Sequence, residues 1–457
     1  MINDIKSICK GYSHEASGKP CQDFVYSEST PELSMAIVSD GHGGERYFRS
    51  DKGSQLVVEV AAQSIRTFVS ALSSREASVA KEYGDTPLFE GMPLTQYSET
   101  TPSVFTPGKE RQGKYIHGAL KGLFRSILTQ WNMLITEHAQ NNPLNEWELE
   151  HVEEKYRIEF EDKLKEDDPS FAKTYGCTLI AYVQTPDYWF AFHIGDGKCI
   201  CFDVVDEQLK ITQPIPWDEK CFLNKTTSIC DSHALSEFRY CYRGDGHFPE
   251  AMFVGSDGID DSYGDNIDDF YIQLFMMLSD KDKAQRELDK SLPIISQHGS
   301  QDDMSVASVY NEGNLARTCA LLVQYQTEKI NIQLEEVMKK LESLYAKLES
   351  YCNAGELTGN DAIVYNYTVK DIEKFGKVWY SLNGKKLNLY KELKKFHGMV
   401  EPLPTDEKPQ ESVTFDEPEQ SESELLQNIS GSSDISDELV NNNESVTEET
   451  EKNTTEE

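Results

Sequence analysis

The sequence predicts an α+β fold, in which an antiparallel β core is flanked by helices and is followed by a helical extension. Apolar runs typical of strands cluster in the first 60 residues and again after residue 175. They do not alternate singly with helices, as they would in a doubly wound parallel sheet. Helical periodicity fills the interval between the clusters. A heptad pattern after residue 315 and an acidic, polar composition after residue 400 predict a separate extension and a disordered tail.

The first half of the core is predicted to contain three strands and then a helical region. Apolar runs and helical spacing predict strands at 5–9, 24–26 and 35–38, and helices at 49–72, 116–135 and 147–164. The polar segment 11–23 between the first two strands is interpreted as a loop. Residues 73–113 are rich in Ser, Thr, Pro and Gly, so they are predicted to form an exposed insertion.

The second half is predicted to return to strands and to end on one. The predicted strands are 175–183, 188–194, 198–205, 251–255 and 304–310, and the predicted helices are 269–278 and 280–291. The first two strands form a hairpin around Thr185-Pro-Asp. Residues 212–250 show no clear period and are interpreted as irregular. Clustered strands with helices outside them favour a layered sandwich of antiparallel sheets.

The extension after residue 315 is predicted to be an α-helical hairpin. A seam of apolar residues is spaced 4, 3, 4, 3, 4, 3, and its members are Ile330, Leu334, Val337, Leu341, Leu344, Leu348 and Tyr351. Residues 369–396 of the same chain can supply the partner helix. Self-association through the same seam is the alternative, and we favour the hairpin. The predicted domains are therefore 1–315 for the core, 316–400 for the hairpin and 401–457 for the tail.

Composition limits the function classes. The net charge is −35, of which residues 401–457 carry −16 from 18 acidic and 2 basic residues, leaving −19 for the first 400. A general basic field that binds nucleic acid or an anionic membrane is therefore excluded. The ten cysteines lack paired zinc-ligand spacing, and the N-terminus lacks a signal-peptide pattern. We expect reduced cysteines and a cytoplasmic location.

Acidic residues recur where apolar strands end. Asp40 follows the run 35–38, Asp196 follows 188–194, and Asp257 follows 251–255, with Asp261 close behind. Asp302 precedes the last strand. A single Asp-Gly is most often only a turn. Its recurrence at several strand ends predicts one shared cation site.

Oxygen ligands define the chemistry expected at such a site. Carboxylates that converge without a cation repel one another, and oxygen-only ligands favour hard ions such as Mg²⁺ or Mn²⁺ over zinc. Two such ions can share a carboxylate, activate a water and neutralise a phosphate, so phosphoester hydrolysis is the reaction they favour. Calcium is the alternative, but its ligands often come from one compact loop, whereas these acids are spread over about 310 residues.

Taken together, the motifs resemble those of the metal-dependent protein serine/threonine phosphatases, the PPM or protein phosphatase 2C family. The resemblance runs from Gly11 to Tyr310. In order along the chain, its motifs are Gln22-Asp23, Asp40-Gly-His-Gly-Gly44, Gly176-Cys-Thr178, Gly195-Asp196-Gly, Ser256-Asp257-Gly-Ile-Asp-Asp261 and Asp302-Asp303-Met-Ser. Each motif alone is weak, and their shared order makes the resemblance specific. It implies a sandwich of two antiparallel sheets flanked by helices.

The resemblance also implies roles for particular residues. Asp40 resembles the ligand that bridges two Mg²⁺ or Mn²⁺ ions, and the Gly41 carbonyl resembles a ligand of the second ion. Asp257 and Asp302 resemble the remaining ligands of the first ion. Asp23 is expected to orient water, and His42 to protonate the leaving alcohol. The acids of a weaker third metal site are matched by Asp196 and Asp261, together with Asp257.

Four departures from the family pattern affect these expectations. Gln22 stands where an acid is frequent, which weakens one contact to the second metal. Gly18 stands where many members have a phosphate-clamping arginine; Lys19 and His14 are candidate substitutes without a bidentate fork. Lys198 stands where an arginine is frequent, and we expect little effect of this change on catalysis. Asp303 stands where asparagine is frequent, so it is an alternative to Asp302 as ligand.

Three functions compete on these observations. The favoured one is hydrolysis of phosphoserine and phosphothreonine in proteins by a water activated between two metal ions. The second is a catalytically weak or inactive phosphatase-like scaffold, suggested by Gln22 and the missing arginine, that binds phosphoproteins or partners. The third is hydrolysis of a small phosphorylated molecule. The C-terminal helices are expected to offer a site for a partner protein.

Overall fold

The computed structural model describes residues 1–83, 88–100, 105–221, 225–353 and 359–394. Its strands are β1 (Ile2–Cys9), β2 (Phe24–Ser29), β3 (Ser34–Ser39), β4 (Thr95–Tyr97), β5 (Leu179–Gln184), β6 (Trp189–Ile194), β7 (Lys198–Val205), β8 (Gln208–Thr212), β9 (Arg239–Arg243), β10 (Ala251–Gly255) and β11 (Met304–Asn311). Its helices are α1 (Tyr12–Ser17), α2 (Ser50–Tyr83), α3 (Glu110–Asn141), α4 (Glu146–His151), α5 (Glu154–Lys165), α6 (Ala234–Glu237), α7 (Asp257–Tyr263), α8 (Ile267–Met277), α9 (Lys281–His298), α10 (Leu315–Cys352) and α11 (Asn360–Leu393).

The strands form two antiparallel sheets, which confirms the predicted fold class. One sheet has the order β1-β11-β10-β7-β8 and the other β2-β3-β5-β6-β9-β4. Every residue of β3, β5 and β6 is buried, because these central strands are covered on both faces. This double burial explains why they are continuous apolar runs without polar alternation.

Side chains alternate between two cores along β3. Ala36 and Val38 point between the sheets and belong to the same cluster as Val254 of β10 and Val309 of β11. Met35 and Ile37 belong to the cluster on the opposite face, which includes apolar residues of α2 and α3. The outer face of the β1–β11 sheet carries Phe202 and Phe253, whose rings make tilted contacts with Phe275 and Tyr271 of α8. The result is a four-layer arrangement of helices, sheet, sheet and helices.

The strand register brings the acid-bearing ends to a common edge. In one sheet, Val38 of β3 pairs with Ile180 of β5, and Leu179 of β5 pairs with Ile194 of β6. In the other, Gly255 at the end of β10 pairs with Val306 near the start of β11. The residues that follow β3, β6 and β10, and those that precede β11, therefore leave the sheets on the same side.

The prediction of an exposed insertion at 73–113 is wrong for the residues of this segment that the structure describes. Helix α2 continues to Tyr83, β4 pairs with β9, and α3 begins at Glu110. Phe89 and Met92 are fully buried, and Phe89 stacks on Tyr188. A strand of three residues and isolated buried side chains are too short to produce a period in the sequence.

Three further local predictions are corrected. Residues 212–250 contain α6 and β9, although they were predicted to be irregular. The loop 11–23 contains the short helix α1. The charged run 147–164 forms two helices, α4 and α5, instead of one. A capping box at the start of α4, made by Asn145 and Glu148, separates that helix from α3.

The predicted C-terminal hairpin is confirmed. Antiparallel helices α10 and α11 share a core of Ile330, Val337, Leu341 and Leu382, against which Trp379 and other half-buried side chains pack. The heptad seam is thus covered by a helix of the same chain. The expectation of a disordered tail at 401–457 falls outside the described residues. Within the described ranges, no helix has the length and apolar character to span a membrane.

Candidate active site

Asp40 is fixed at the end of β3 by hydrogen bonds to Thr178. The Asp40 backbone N–H donates to Thr178 Oγ1 at 3.0 Å, and the Thr178 N–H donates to the Asp40 carbonyl at 2.8 Å. Ser39 Oγ also donates to the Thr178 carbonyl at 2.6 Å. Thr178 therefore orients the backbone that presents Asp40.

Carboxyl groups from four chain segments converge around Asp40. The side chains of Asp40 and Asp257 share a hydrogen bond, and the charges of Asp23 and Asp302 act on Asp40. Asp257 is the first residue of α7 and also feels the charge of Asp196. The structure thus brings together acids that lie far apart in the sequence.

The convergence raises the pKa values of these acids. Burial, followed by the charges of Asp257 and Asp23, raises the pKa of Asp40 well above its usual value. Burial is also the main cause that raises the pKa of Asp257 to about 6. The pKa of Asp261 is raised by burial and by the charge of Asp302. Each shift means that burial and neighbouring negative charge disfavour the carboxylate form more than any nearby positive charge favours it.

Asp303 anchors the Gln22-Asp23 segment beside the acids. Its two carboxylate oxygens accept the backbone N–H groups of Gly11 and Gln22, both at 2.6 Å. His14 of α1 adds a third contact, with its Nδ1 3.0 Å from Asp303 Oδ2. Since these groups occupy Asp303 and it is buried, the geometry favours the exposed Asp302 as the ligand of the pair.

The same geometry changes the interpretation of His14. Its ring is buried against Asp303, so an anchoring role fits better than phosphate binding. One ligand atom from each of His14, Asp302 and Asp303 lies within 4.8 Å of the others. Lys19, the other phosphate candidate, donates from Nζ to the Gly43 carbonyl at 3.1 Å. Lys19 therefore lies beside the His42 loop.

Asp23 and Gln22 face the acids from the β2 side. Asp23 is buried, and its Oδ2 accepts Ser305 Oγ–H at 2.6 Å. Burial and the charge of Asp303 raise the pKa of Asp23 well above its usual value. Gln22 Nε2 donates to the His42 carbonyl at 3.2 Å and to Ser50 Oγ. Gln22 Oε1 is buried and has no hydrogen-bond partner among the described residues.

Gly41 is required by a close approach of backbone segments. A Cβ atom at Gly41 would lie 2.6 Å from the Gln22 carbonyl oxygen and 2.8 Å from that of Ser50. The Gly41 N–H donates to the Gln22 carbonyl at 3.1 Å. Only glycine allows the Asp40–His42 turn to sit this close to Gln22.

His42 is held by a residue that the sequence analysis missed. Its Nε2 lies 2.8 Å from Ser228 Oγ, and Ser228 Oγ also donates to the Cys177 carbonyl at 3.0 Å. The Tyr47 ring packs edge-on against the imidazole at 4.8 Å. Burial lowers the pKa of His42 to about 4, so the ring is neutral at neutral pH. Ser228 lies in a stretch without periodicity, and nothing in its local sequence marks it.

Lys198 and Asp260 form a second feature that the sequence analysis missed. Lys198 Nζ lies 3.4 Å from Asp260 Oδ2 and 4.0 Å from the centre of the exposed Trp217 ring. Burial raises the pKa of Asp260 to about 7. The Lys198 charge also acts on Asp196 and Asp261. Asp260 lies three residues after Asp257 on α7, and this helical spacing was the signal that could have found it.

The donor set fits hard divalent cations. Carboxyl oxygens dominate it, and two of the carboxyl groups hydrogen-bond directly to each other. The buried, unpartnered Gln22 Oε1 offers a further oxygen. A cation placed among these oxygens would offset their repulsion and lower the raised pKa values.

This chain belongs to the protein phosphatase 2C family, because the family model "Protein phosphatase 2C" matches residues 10–293. The family resemblance predicted from the sequence motifs is therefore confirmed. No match was found among curated proteins.

Several solved structures share low sequence identity with the chain. A serine/threonine phosphatase from S. agalactiae is 16% identical, with a TM-score of 0.37 over 68% of this chain and 99% of that one. The Mycobacterium tuberculosis serine/threonine phosphatase PstP/Ppp is 14% identical, with a TM-score of 0.37 over 68% and 99%. The PstP catalytic domain in complex with two manganese ions is 14% identical, with a TM-score of 0.36 over 68% and 97%. At these TM-scores the family assignment rests on the family model.

Proposed function

We propose that this chain is a protein serine/threonine phosphatase that hydrolyses phosphoserine and phosphothreonine with the help of Mg²⁺ or Mn²⁺. One observation carries the proposal. Asp40, Asp257 and Asp302 meet at a common edge of the two sheets, although they are up to 262 positions apart in the sequence, and His42 lies two residues from Asp40.

The acids supply the ligands that this chemistry requires. Asp40, the Gly41 carbonyl, Asp257 and Asp302 would hold two ions. The acids Asp196 and Asp261, with Asp257, would hold a weaker third ion, with the Lys198 ammonium competing for its place. When bound, the ions would supply an activated water and neutralise charge on the phosphate.

The remaining residues orient the reactants. Asp23, fixed by Ser305, would accept a hydrogen bond from the attacking water. The water oxygen forms a bond to phosphorus as the bond from phosphorus to the seryl or threonyl oxygen breaks. Because Ser228 Oγ donates to the Cys177 carbonyl, His42 Nε2–H donates to Ser228, and Nδ1 of the neutral ring is an acceptor. The leaving oxygen would take its proton from Nδ1 of the imidazolium form, and the ring would regain that proton from the attacking water. The products are the free alcohol and inorganic phosphate.

Phosphate binding by the chain itself is weak in this arrangement. Gly18 occupies the position of the family arginine, and Lys19 offers a single ammonium group that already contacts the Gly43 carbonyl. A lysine lacks the bidentate geometry of a guanidinium group. We therefore expect a high KM for small aryl phosphates.

The proposal is tested by phosphate release from phosphoserine and phosphothreonine peptides. We expect turnover with Mn²⁺ or Mg²⁺, no turnover in the presence of a chelator, and a loss of at least about a hundredfold in Asp40→Asn and Asp257→Asn. Asp162→Asn, an exposed change on α5, is the matched control and is expected to retain full activity.

The scaffold hypothesis makes the opposite prediction. Because the missing arginine weakens phosphate binding, an inactive phosphoprotein-binding domain is the second candidate. A wild-type chain that binds phosphopeptides but releases no phosphate at millimolar Mn²⁺ would establish it. Turnover that persists unchanged under chelation would reject the proposed mechanism.

A further inference from the structure

We propose that Lys198 is a built-in cation that takes the place of a third divalent ion, so that this chain binds two ions. The inference rests on the proposed metal centre and deepens it. It concerns the acids Asp196, Asp257 and Asp261, which would otherwise hold the third ion.

The backbone of Lys198 lies between the two chain segments that carry these acids. Asp196 precedes Lys198 by two residues, in the turn that joins β6 to β7. In the neighbouring strand, Gly255 at the end of β10 is the register partner of Lys198. Helix α7 begins two residues after Gly255, at Asp257, and Asp261 follows in the same helix. The lysine therefore starts from a position beside both halves of the expected third site.

Two neighbours hold the Lys198 ammonium group. Its Nζ lies 3.4 Å from Asp260 Oδ2 and 4.0 Å from the centre of the Trp217 ring. The Lys198 side chain is 20% exposed, so its ammonium group depends on these two contacts more than on water. The second carboxyl oxygen, Asp260 Oδ1, is buried and has no hydrogen-bond partner among the described residues. Moving the lysine away would therefore leave Asp260 without its cation, which opposes such a movement.

The charge of Lys198 reaches the acids of the expected third site. Burial raises the pKa of both Asp196 and Asp261, and the Lys198 charge offsets part of that rise. These carboxylates thus already have a positive charge nearby. A divalent ion placed among them would be repelled by the ammonium group and would find its attraction to the acids reduced.

A lysine supplies less than a divalent ion would. An ammonium group carries one charge and donates hydrogen bonds, whereas Mg²⁺ or Mn²⁺ carries two charges and keeps several bound waters. Lys198 can therefore neutralise part of the charge of Asp196 and Asp261, but it cannot present a metal-bound water. The third position is thus structural in this chain, and the proposed reaction relies on the two remaining ions.

The number of ions bound by the full chain tests the proposal without a measurement of activity. Calorimetric titration with Mn²⁺, checked by metal analysis after equilibrium dialysis, is expected to give two ions per wild-type chain up to millimolar Mn²⁺. Lys198→Met keeps a side chain of similar length without the charge. It should bind three ions over the same range, which requires the affinity of the third position to rise at least about tenfold. Lys198→Arg keeps the charge and should stay at two ions.

Two further variants separate the effect of the Lys198 charge from general effects of substitution. Trp217 is exposed, so Trp217→Leu should fold normally, and the loosened lysine should allow an occupancy between two and three ions. Lys165→Met removes the charge of an exposed lysine on α5 and should stay at two ions.

The possible ion counts distinguish failure of this inference from failure of the proposed function. Three ions in the wild-type chain would overturn the inference and leave the phosphatase proposal intact. Two ions in a folded Lys198→Met, or in Trp217→Leu if Lys198→Met does not fold, would also overturn it. A wild-type chain that binds no Mn²⁺ would reject the metal centre itself, and this inference with it.

Discussion

Ser228 lies in the segment between β8 and α6 and contacts His42, the proton donor of the proposed reaction. Its hydroxyl lies between His42 Nε2 and the Cys177 carbonyl, so it fixes the plane of the imidazole. We expect Ser228→Ala to lower kcat on phosphoserine peptides by about 10–100-fold, because the ring loses its orientation toward the leaving oxygen. On p-nitrophenyl phosphate kcat should fall less than about threefold, because the phenolate leaves without a proton.

Three variants make this comparison specific. Ser228→Thr keeps the hydroxyl and should recover most of the peptide activity. Ser236→Ala removes an exposed hydroxyl on α6 and should change neither rate. If Ser228→Ala lowered both rates by the same factor, Ser228 would support the site as a whole and would not act through His42.

At the scale of elements, the pairing of β6 with β9 supports the loop that carries Asp196. His193 and Arg239 are register partners, and Arg239 Nη2 donates to His193 Nδ1 at 3.1 Å and to the Gly195 carbonyl at 2.5 Å. Arg239 Nη1 also donates to the Pro216 carbonyl at 2.9 Å. The two strands thereby tie together the glycine before Asp196 and the segment that precedes α6.

This buried pair makes stability depend on pH. Burial, with the charge of Arg239, lowers the pKa of His193 well below 6.5. The unfolded chain therefore binds a proton more readily than the folded one, and the free energy of unfolding falls as the pH drops below 6.5 toward the lowered pKa. The slope from this group is at most about 1.4 kcal/mol per pH unit.

Urea unfolding between pH 7.5 and pH 5 measures this slope. In His193→Gln the amide oxygen can still accept from Arg239 but cannot take a proton. The free energy of unfolding should therefore fall less steeply below pH 6.5, by up to about 1.4 kcal/mol per pH unit. His298→Gln, an exposed change at the end of α9, should keep the wild-type slope. Equal slopes in wild type and His193→Gln would show that His193 does not titrate on unfolding.

Strands and helices whose apolar residues recur at regular spacing were predictable from the sequence, and those without such spacing were not. The strand at 251–255 and the hairpin helices follow directly from their apolar spacing. Strands β4 and β9 have three and five residues, and they depend on partners far along the chain. The extension of α2 to Tyr83 was missed because its last turns are rich in Ser, which also favours loops.

At the scale of the whole molecule, the acids of the site were predictable because each follows or precedes a buried strand. Asp40, Asp257 and Asp302 were chosen on that ground, and the register of two sheets brings them together. The long-range contacts of Ser228 with His42, and of Lys198 with Trp217, were not predictable. They join segments 186 and 19 residues apart, and they leave no local pattern in the sequence.

Gathering these carboxyl groups destabilises the fold unless a cation is bound. Asp40 is at the centre of the repulsion, since the charges of Asp257, Asp23 and Asp302 all act on it. Without metal, Asp40→Asn should therefore unfold at a higher temperature than wild type, because it removes a buried like charge. With Mn²⁺ at 100 times its dissociation constant, wild type should gain about 2.7 kcal/mol, and Asp40→Asn much less.

Thermal unfolding with a chelator and with increasing Mn²⁺ gives the stability without metal and the stabilisation by Mn²⁺, and it requires no measurement of catalysis. We expect the order of the wild-type and Asp40→Asn unfolding midpoints to reverse as the metal concentration rises. The Asp40 carboxylate destabilises the fold without metal and stabilises it when it binds a cation. Asp162→Asn should follow wild type throughout. Parallel curves for wild type and Asp40→Asn would mean that Asp40 neither repels its neighbours nor binds the ion, and the proposed metal centre would lose its central ligand.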